Sequence, residues 1–142
     1  MQIKINKIFP EAIIPIYATP GSACFDLHSL TEAVIRPGEA AILRTGLRFE
    51  IPEGWKMLVF SRSGHGFKYD VSLSNSVGVI DSDYVGEVLV KLRNDSEETF
   101  DVRVGDRVAQ AEVVPAWQHD FEVVSEIKET ERGGQGFGHS GR

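Results

Sequence analysis

The chain has 142 residues, of which 42% are hydrophobic and 25% are charged, and its formal net charge is −6. This length suits a single domain with one hydrophobic core, so no second domain need be invoked. The acidic balance disfavours binding to a polyanion such as DNA, and we expect no nucleic-acid partner, although a small anion can bind where cations, backbone N–H groups or a metal offset the field.

Cys24 is the single cysteine of the chain, so it cannot form an internal disulfide, which fits a reducing compartment. The first residues do not form a basic-then-apolar leader, and no apolar run approaches the ~20 residues of a membrane span. We therefore expect a soluble, cytoplasmic protein with no membrane partner.

The hydrophobic pattern predicts short strands along most of the chain. Within Glu87–Arg93, for example, Val88, Val90 and Leu92 point one way and the residues between them point the other, which is the period of a strand. Glycine, proline, asparagine and aspartate mark turns between such runs. The predicted strands are Gln2–Ile5, Ala33–Ile35, Ala40–Leu43, Leu47–Ile51, Lys56–Phe60, Glu87–Arg93, Thr99–Val102, Arg107–Val114 and Phe121–Val124. This pattern favours an all-β sandwich, jelly roll or barrel, with at most one helical turn after Ser63.

Five short segments pair small residues with polar groups that strand packing does not require. In the first, residues 21–27, Asp26 alternates with apolar residues, and such an acid usually lies only on the solvated face of a strand. In the second, residues 61–66, backbone N–H groups and the forked cation of Arg62 can meet an anion, although an ordinary turn has the same composition. His65 has no second ligand at metal spacing, which favours a surface histidine.

The third segment, Asn75–Glu87, is the most specific. Asp81 and Asp83 flank a serine, Tyr84 follows, and glycines lie on both sides. The two carboxylates point to the same side if the segment is extended, and paired carboxylates suit metal binding or water activation. An aspartate-rich turn between strands accounts for the same residues.

The fourth and fifth segments lie near the end of the chain. In residues 105–110, the Gln110 amide needs a partner if it lies in a strand among apolar neighbours, whereas an outward glutamine after a hairpin turn does not. Residues 132–141 combine a cation, many glycines and Phe137. We expect the tail 125–142 to bury little by itself and to be mobile without a ligand, or to be only a disordered end.

In this order, and over nearly the whole chain, the five segments resemble the motifs of the trimeric dUTPase family, ending in a tail of the form RGxxGFGxSG. The resemblance implies one domain over residues 1–142, folded as a jelly-roll-like β-barrel subunit whose tail, 125–142, closes over an active site. It implies a homotrimer in which each of three sites draws on three chains. The implied enzyme is a dUTP diphosphatase, which uses Mg²⁺ to convert dUTP to dUMP and pyrophosphate, keeping uracil out of DNA and supplying dUMP for dTTP synthesis.

The resemblance also implies a role for each motif residue. Asp81 matches the acid that orients and deprotonates the attacking water, and Gln110 matches the glutamine near that water and the α-phosphate. Asp26 matches an acid near the metal, acting through metal-bound water. The implied substrate-binding residues are Arg62, Ser63, Gly64, Asn75, Gly78, Tyr84, Arg132, Phe137 and Gly138.

Within that set, the resemblance implies how the substrate is selected. The Tyr84 ring lies under the deoxyribose and leaves no room for a 2′-hydroxyl, while backbone groups of the hairpin read uracil. Arg132 grips the γ-phosphate and Phe137 covers the base when the tail closes.

Four positions depart from the usual family pattern without removing a catalytic group: Cys24, Ser61, His65 and Gln135. Gln135 bears on how the tail closes, and His65 can add a pH dependence near neutrality.

Two other functions share features with this sequence. A dCTP deaminase shares the fold and the trimer, but its catalytic glutamate falls where this chain has Lys91. A catalytically silent, regulatory relative would have lost polar groups, whereas all five segments keep theirs.

Overall fold

A computed structural model describes residues 1–137 of the chain. In this part the backbone forms eleven strands and one short helix. The strands are β1 (Lys4–Lys7), β2 (Phe25–His28), β3 (Ala33–Ile35), β4 (Ala40–Arg44), β5 (Leu47–Glu50), β6 (Trp55–Phe60), β7 (Val71–Leu73), β8 (Val77–Ile80), β9 (Leu89–Asn94), β10 (Phe100–Val102) and β11 (Arg107–Pro115), and the helix is α1 (Ser63–Tyr69).

The strands pair in antiparallel fashion and mostly with partners distant in sequence. One sheet has the order β2-β11-β6-β8, a second has the order β4-β9-β7, and β1-β5 and β10-β3 form two-stranded ribbons. Such non-consecutive pairing is typical of jelly rolls. The predicted all-β, jelly-roll-like fold is confirmed.

The core follows from the alternation seen in the sequence. Val88, Val90 and Leu92 are each 1% exposed, while Lys91 between them is exposed to solvent. The inward side chains of β2, β6 and β11 complete the core beneath the first sheet. Because these strands are fixed by apolar side chains, polar residues at their ends are held in defined positions.

The helix α1 is longer than the single turn that the sequence predicts. It runs for seven residues and ends at Asp70, which adopts a left-handed conformation with φ of 49°. Two glycines lower the intrinsic helix propensity of this segment, so the sequence predicts a shorter helix than the one that forms. No helix in residues 1–137 combines the length and apolar character needed to cross a bilayer.

The strand predicted at Phe121–Val124 is wrong. Phe121 and Val123 are 95% and 98% exposed, and no strand is assigned after β11 in the part of the chain that the structure covers. The alternation is present in the sequence, but a strand also needs a partner strand to bond its backbone. Residues 116–137 therefore form an arm that departs from the body of the domain, and the large apolar side chains of this arm are exposed to solvent.

Candidate active site

Gln110 connects two strands with the start of the predicted phosphate-binding segment, residues 61–66. On β11 it lies opposite Asp26 of β2 on one side and Phe60 of β6 on the other. Its Nε2 donates a hydrogen bond to the carbonyl oxygen of Ser61 at 2.9 Å. The amide thus has the partner that its position requires, and it fixes the backbone that leads into Arg62.

Arg62 is oriented by a half-buried ion pair. Its Nε donates to Asp26 Oδ1 at 3.0 Å, and the two side chains are 24% and 19% exposed. Arg107 supplies a second cation, with Nη1 lying 3.5 Å from Asp26 Oδ2. Two guanidinium groups therefore share one carboxylate, so positive charges outnumber the negative charge within this group of three side chains.

The sequence did not indicate a role for Arg107. Its place depends on the register between β11 and β2, which sets Arg107 opposite His28 with a bulge between Arg107 and Ala109. A register shift of this kind has no local signature. The turn Gly105-Asp106 directly before Arg107 is the nearest available signal.

His65 is half-buried rather than on the surface, which corrects the expectation from sequence. Its ring meets Phe100 edge-on with the centroids 5.2 Å apart, and its Nε2 lies 3.5 Å from Arg62 Nη1. Burial, followed by the positive charge of Arg62, lowers the pKa of His65 below its ordinary value. The imidazole is therefore neutral at pH 7 and adds no charge beside Arg62.

Ser63 and Gly64 open α1 and remain accessible. Ser61, Arg62 and Ser63 line an open pocket that Phe67 and Asp70 also border. A Cβ placed on Gly64 would meet no atom within 4 Å, so the space in front of it is free for a ligand. The segment offers small groups, backbone N–H groups and one oriented cation, which is a suitable surface for phosphate.

A short turn links β7, which pairs with β9, to β8, which pairs closely with β6. The Ser61 hydroxyl accepts a hydrogen bond from the Leu73 N–H at 2.9 Å, and Asn75 lies in the turn between the two strands. A Cβ on Gly78 would approach Val59 Cβ to 3.2 Å. The small residue at Gly78 thus allows the close contact between β8 and β6.

Asp81 lies in a turn and not in an extended segment. The Tyr84 N–H donates to the Asp81 carbonyl at 3.2 Å, so Asp81 and Asp83 are not related as alternate residues of a strand. Both line an open cleft of about 800 Å³, with Glu53 and Lys56 on its other side. Asp81 is exposed and available to a water molecule or a ligand.

Tyr84 lies flat against the backbone that follows it. Its hydroxyl donates to the Glu87 carbonyl at 2.9 Å. A Cβ on Gly86 would lie 2.5 Å from the Tyr84 hydroxyl oxygen and 2.6 Å from Cζ, so only glycine fits beneath the ring. The ring is 44% exposed and forms a wall for a ligand.

Asp81 and Arg62 lie at opposite ends of β6. In the β6–β8 register, Met57 faces Ile80, so Asp81 lies level with Lys56, six residues before Arg62. At the rise of an extended strand this corresponds to about 20 Å. One chain therefore does not bring the two side chains to the same phosphate group.

The described part of the tail places Arg132 and Phe137 apart from both clusters. Arg132 Nε donates to the Gln135 carbonyl at 2.7 Å, and its Nη2 donates to the Gly136 carbonyl at 3.2 Å. Phe137 is fully exposed. Gly138, also predicted to bind substrate, lies outside the described residues.

The donor set near the phosphate-binding segment fits magnesium. Among residues 1–137 no group of three or more His, Cys, Asp and Glu side chains could hold a metal ion. Mg²⁺ retains water and is commonly bound through one or two carboxylates together with substrate phosphates, so it does not require such a group. Asp26, partly exposed beside Arg62, provides one carboxylate of this kind.

Comparisons of sequence and of structure relate this chain to the same protein family. The family model described as dUTPase matches residues 10–141. A deoxyuridine 5′-triphosphate nucleotidohydrolase from Nautilia profundicola is 44% identical over 142 residues and is covered, like this chain, over 100% of its length. A mutant dUTPase of Staphylococcus bacteriophage 80alpha with dUpNHpp has a TM-score of 0.92 at 26% identity, with 99% of each chain covered. A mutant dUTPase from phage phi11 of S. aureus, with a structural Mg(II) ion, has a TM-score of 0.82 at 24% identity, with 89% of this chain and 99% of that one covered. Given these matches over nearly the whole length, the chain belongs to the dUTPase family.

Proposed function

We propose that this protein hydrolyses dUTP to dUMP and pyrophosphate in the cytoplasm, as one domain over residues 1–142. Family membership over nearly the whole chain is the observation that carries this proposal. The geometry agrees, because Arg62 and Arg107 create a local positive site in a chain with a net charge of −6. Such a site can bind a triphosphate that the acidic surface would otherwise repel.

In the proposed reaction, Asp81 acts as the general base. Water is a poor nucleophile, and a carboxylate within hydrogen-bond reach can take its proton as it attacks the α-phosphorus. Gln110 orients that water and the α-phosphate, while Arg62, Ser63 and Gly64 bind the phosphate chain. Pyrophosphate leaves, and dUMP remains in the nucleoside pocket formed by Asn75, Gly78 and Tyr84.

Asp26 would hold Mg²⁺ through water beside the phosphate chain. When bound, the ion would neutralise charge on the phosphate oxygens. The phage phi11 dUTPase coordinates a structural Mg(II) ion, so this fold can accommodate the metal. Within the chain, the Asp26 carboxylate orients the Arg62 side chain through their ion pair.

The proposed assembly is a homotrimer with shared sites. Asp81 and Arg62 are separated by about 20 Å along β6, so a complete site needs Asp81 from one copy and Arg62 from another. The exposed arm, including Trp117 and Phe121, provides apolar surface for contact with a neighbouring copy. The tail, residues 125–142, would close over a site with Arg132, Phe137 and Gly138.

A direct assay separates dUTP hydrolysis from deamination. Purified protein is incubated with dUTP or dCTP, with magnesium or with EDTA, and pyrophosphate and ammonia are measured. We expect pyrophosphate from dUTP in the presence of magnesium, much less with EDTA, and no ammonia from dCTP. Ammonia release from dCTP would identify a deaminase, and no turnover of either nucleotide would indicate a silent relative.

Asp81→Asn should lower kcat for dUTP by about 10²–10⁴-fold while leaving nucleotide binding and the melting temperature close to those of the unmodified protein, because the amide cannot accept the proton of the attacking water. Turnover is measured by pyrophosphate release and binding by calorimetry with dUTP. Glu53→Gln, which changes a carboxylate on the other side of the same cleft, should retain turnover. Near-normal kcat for the Asp81 variant would remove this residue from its proposed role.

Mixing two inactive variants tests the shared site. Asp81→Asn and Arg62→Ala are each inactive alone, but chains assembled together at equal amounts should regain about a quarter of the unmodified activity, because that fraction of sites receives Asp81 and Arg62 intact from different copies. Activity is measured after the two variants are unfolded together and refolded. If both groups came from the same chain, refolding together would restore nothing.

Removing residues from Arg132 onward should abolish most activity without changing the number of subunits in the assembly, since the tail contributes a cation and an aromatic ring but no core residue. Light scattering gives the mass and pyrophosphate release gives the turnover. Lys128→Ala, which changes an exposed cation just before the deletion, should keep both unchanged. Full activity of the shortened protein would show that the tail plays no part in closure.

A further inference from the structure

The position of the Tyr84 ring depends on the backbone of residues 86 and 87. The hydroxyl is bonded to the Glu87 carbonyl, and the ring rests on Gly86 without room for a Cβ. Any movement of this backbone segment would therefore move the ring. The contacts that hold Glu87 in place therefore also hold the ring in place.

The Glu87 carboxylate is held by a nearly complete set of donors. The side chain is 14% exposed. Arg44 Nε lies 3.2 and 3.1 Å from the two carboxylate oxygens, and Arg44 Nη2 donates at 2.7 Å. The Gly46 N–H donates at 2.9 Å. Burial alone would raise the pKa of Glu87, but the hydrogen bonds from Arg44 and Gly46 and the charges of Arg44 and Arg48 together lower it, so the group is ionised at pH 7.

The next residue is fixed to the same corner between β4 and β5. The Thr45 hydroxyl donates to the Val88 carbonyl at 2.7 Å, and the Val88 N–H donates to the Leu47 carbonyl at 2.9 Å. The Arg44 guanidinium lies over the Phe9 ring, 4.6 Å from its centroid. The segment that carries the Tyr84 anchor is thus bound to a rigid corner through its side chain and its backbone.

We propose that Glu87 and Arg44 are positioning residues that set the selectivity for deoxyribose over ribose by holding the Tyr84 ring in place. The inference rests on the proposed function, in which the sugar lies against that ring. A pocket rejects an added hydroxyl poorly unless its wall cannot retreat. A displacement of about 1 Å would be enough to admit the extra oxygen, so the anchoring of the ring matters as much as its presence.

A merely structural ion pair predicts a different behaviour. If Arg44 and Glu87 only stabilised the fold, weakening them would lower the melting temperature and leave the preference for dUTP over UTP unchanged. If they act through Tyr84, the preference itself must change. It must also stop responding to Glu87 once the Tyr84 hydroxyl is absent.

A double-mutant cycle tests this coupling. The ratio of kcat/KM for dUTP to that for UTP is measured for the unmodified protein, Tyr84→Phe, Glu87→Gln and the double variant. Each single variant should lower the ratio about fivefold, the size expected for one hydrogen bond. The double variant should lower it no further than a single one, because both changes release the same ring.

Glu50→Gln is the matched control, since Glu50 pairs with Lys4 at 2.6 Å on the surface with the two side chains 65% and 76% exposed. It should leave the ratio and the turnover unchanged. An unchanged ratio in Glu87→Gln, or a double variant whose loss is the product of the two single losses, would overturn the inference. Failure of the unmodified protein to hydrolyse dUTP would instead contradict the proposed function.

If Glu87→Gln does not fold, as judged by its melting transition, Arg44→Lys takes its place in the cycle. Lysine keeps the charge but cannot reproduce the two-pronged contact of Arg44 with the carboxylate. The expected ratio and the overturning results are the same for this variant.

Discussion

The antiparallel pairing of β6 with β8 is the constraint on which the rest of the molecule depends. It places Gly78 against Val59 and carries the chain to Asp81 at one end of β6, while Arg62 follows the other end. Each residue of a strand adds a fixed rise, so the number of residues in β6 fixes the distance between its two ends. The two groups that we propose act on the phosphate chain are therefore kept apart within a chain, and the proposed trimer would unite them.

Electrostatics at the phosphate-binding end compensate for an acidic chain. Asp26 is shared between Arg62 and Arg107, which orients the guanidinium groups without cancelling both charges. His65 packs beside Arg62 in its neutral form, because burial and that neighbouring charge lower its pKa. The excess of positive charge within this group of three side chains arises from their uneven pairing and not from the overall composition.

The sequence predicted most of the strands, though not β7 or β8, because alternation and turn chemistry are local properties. Val88, Val90 and Leu92 are buried as their spacing indicates, and Gln110 lies in a strand with its amide bonded. Local patterns could not predict features that depend on tertiary contacts. The register that brings Arg107 to Asp26, the burial of His65 against Phe100, and the donors gathered around Glu87 all join residues distant in the chain. Phe121–Val124 shows the opposite error, since its pattern is strand-like but no strand within residues 1–137 lies beside it.

The Ser61 hydroxyl joins the predicted phosphate-binding segment to the end of β7, from which the chain continues through β8 to Asp81, by accepting a bond from the Leu73 N–H. In the proposed trimer these two parts of one chain serve different active sites. Each subunit would then join two neighbouring sites through this bond. A change at Ser61 would therefore bear on two sites for each chain altered.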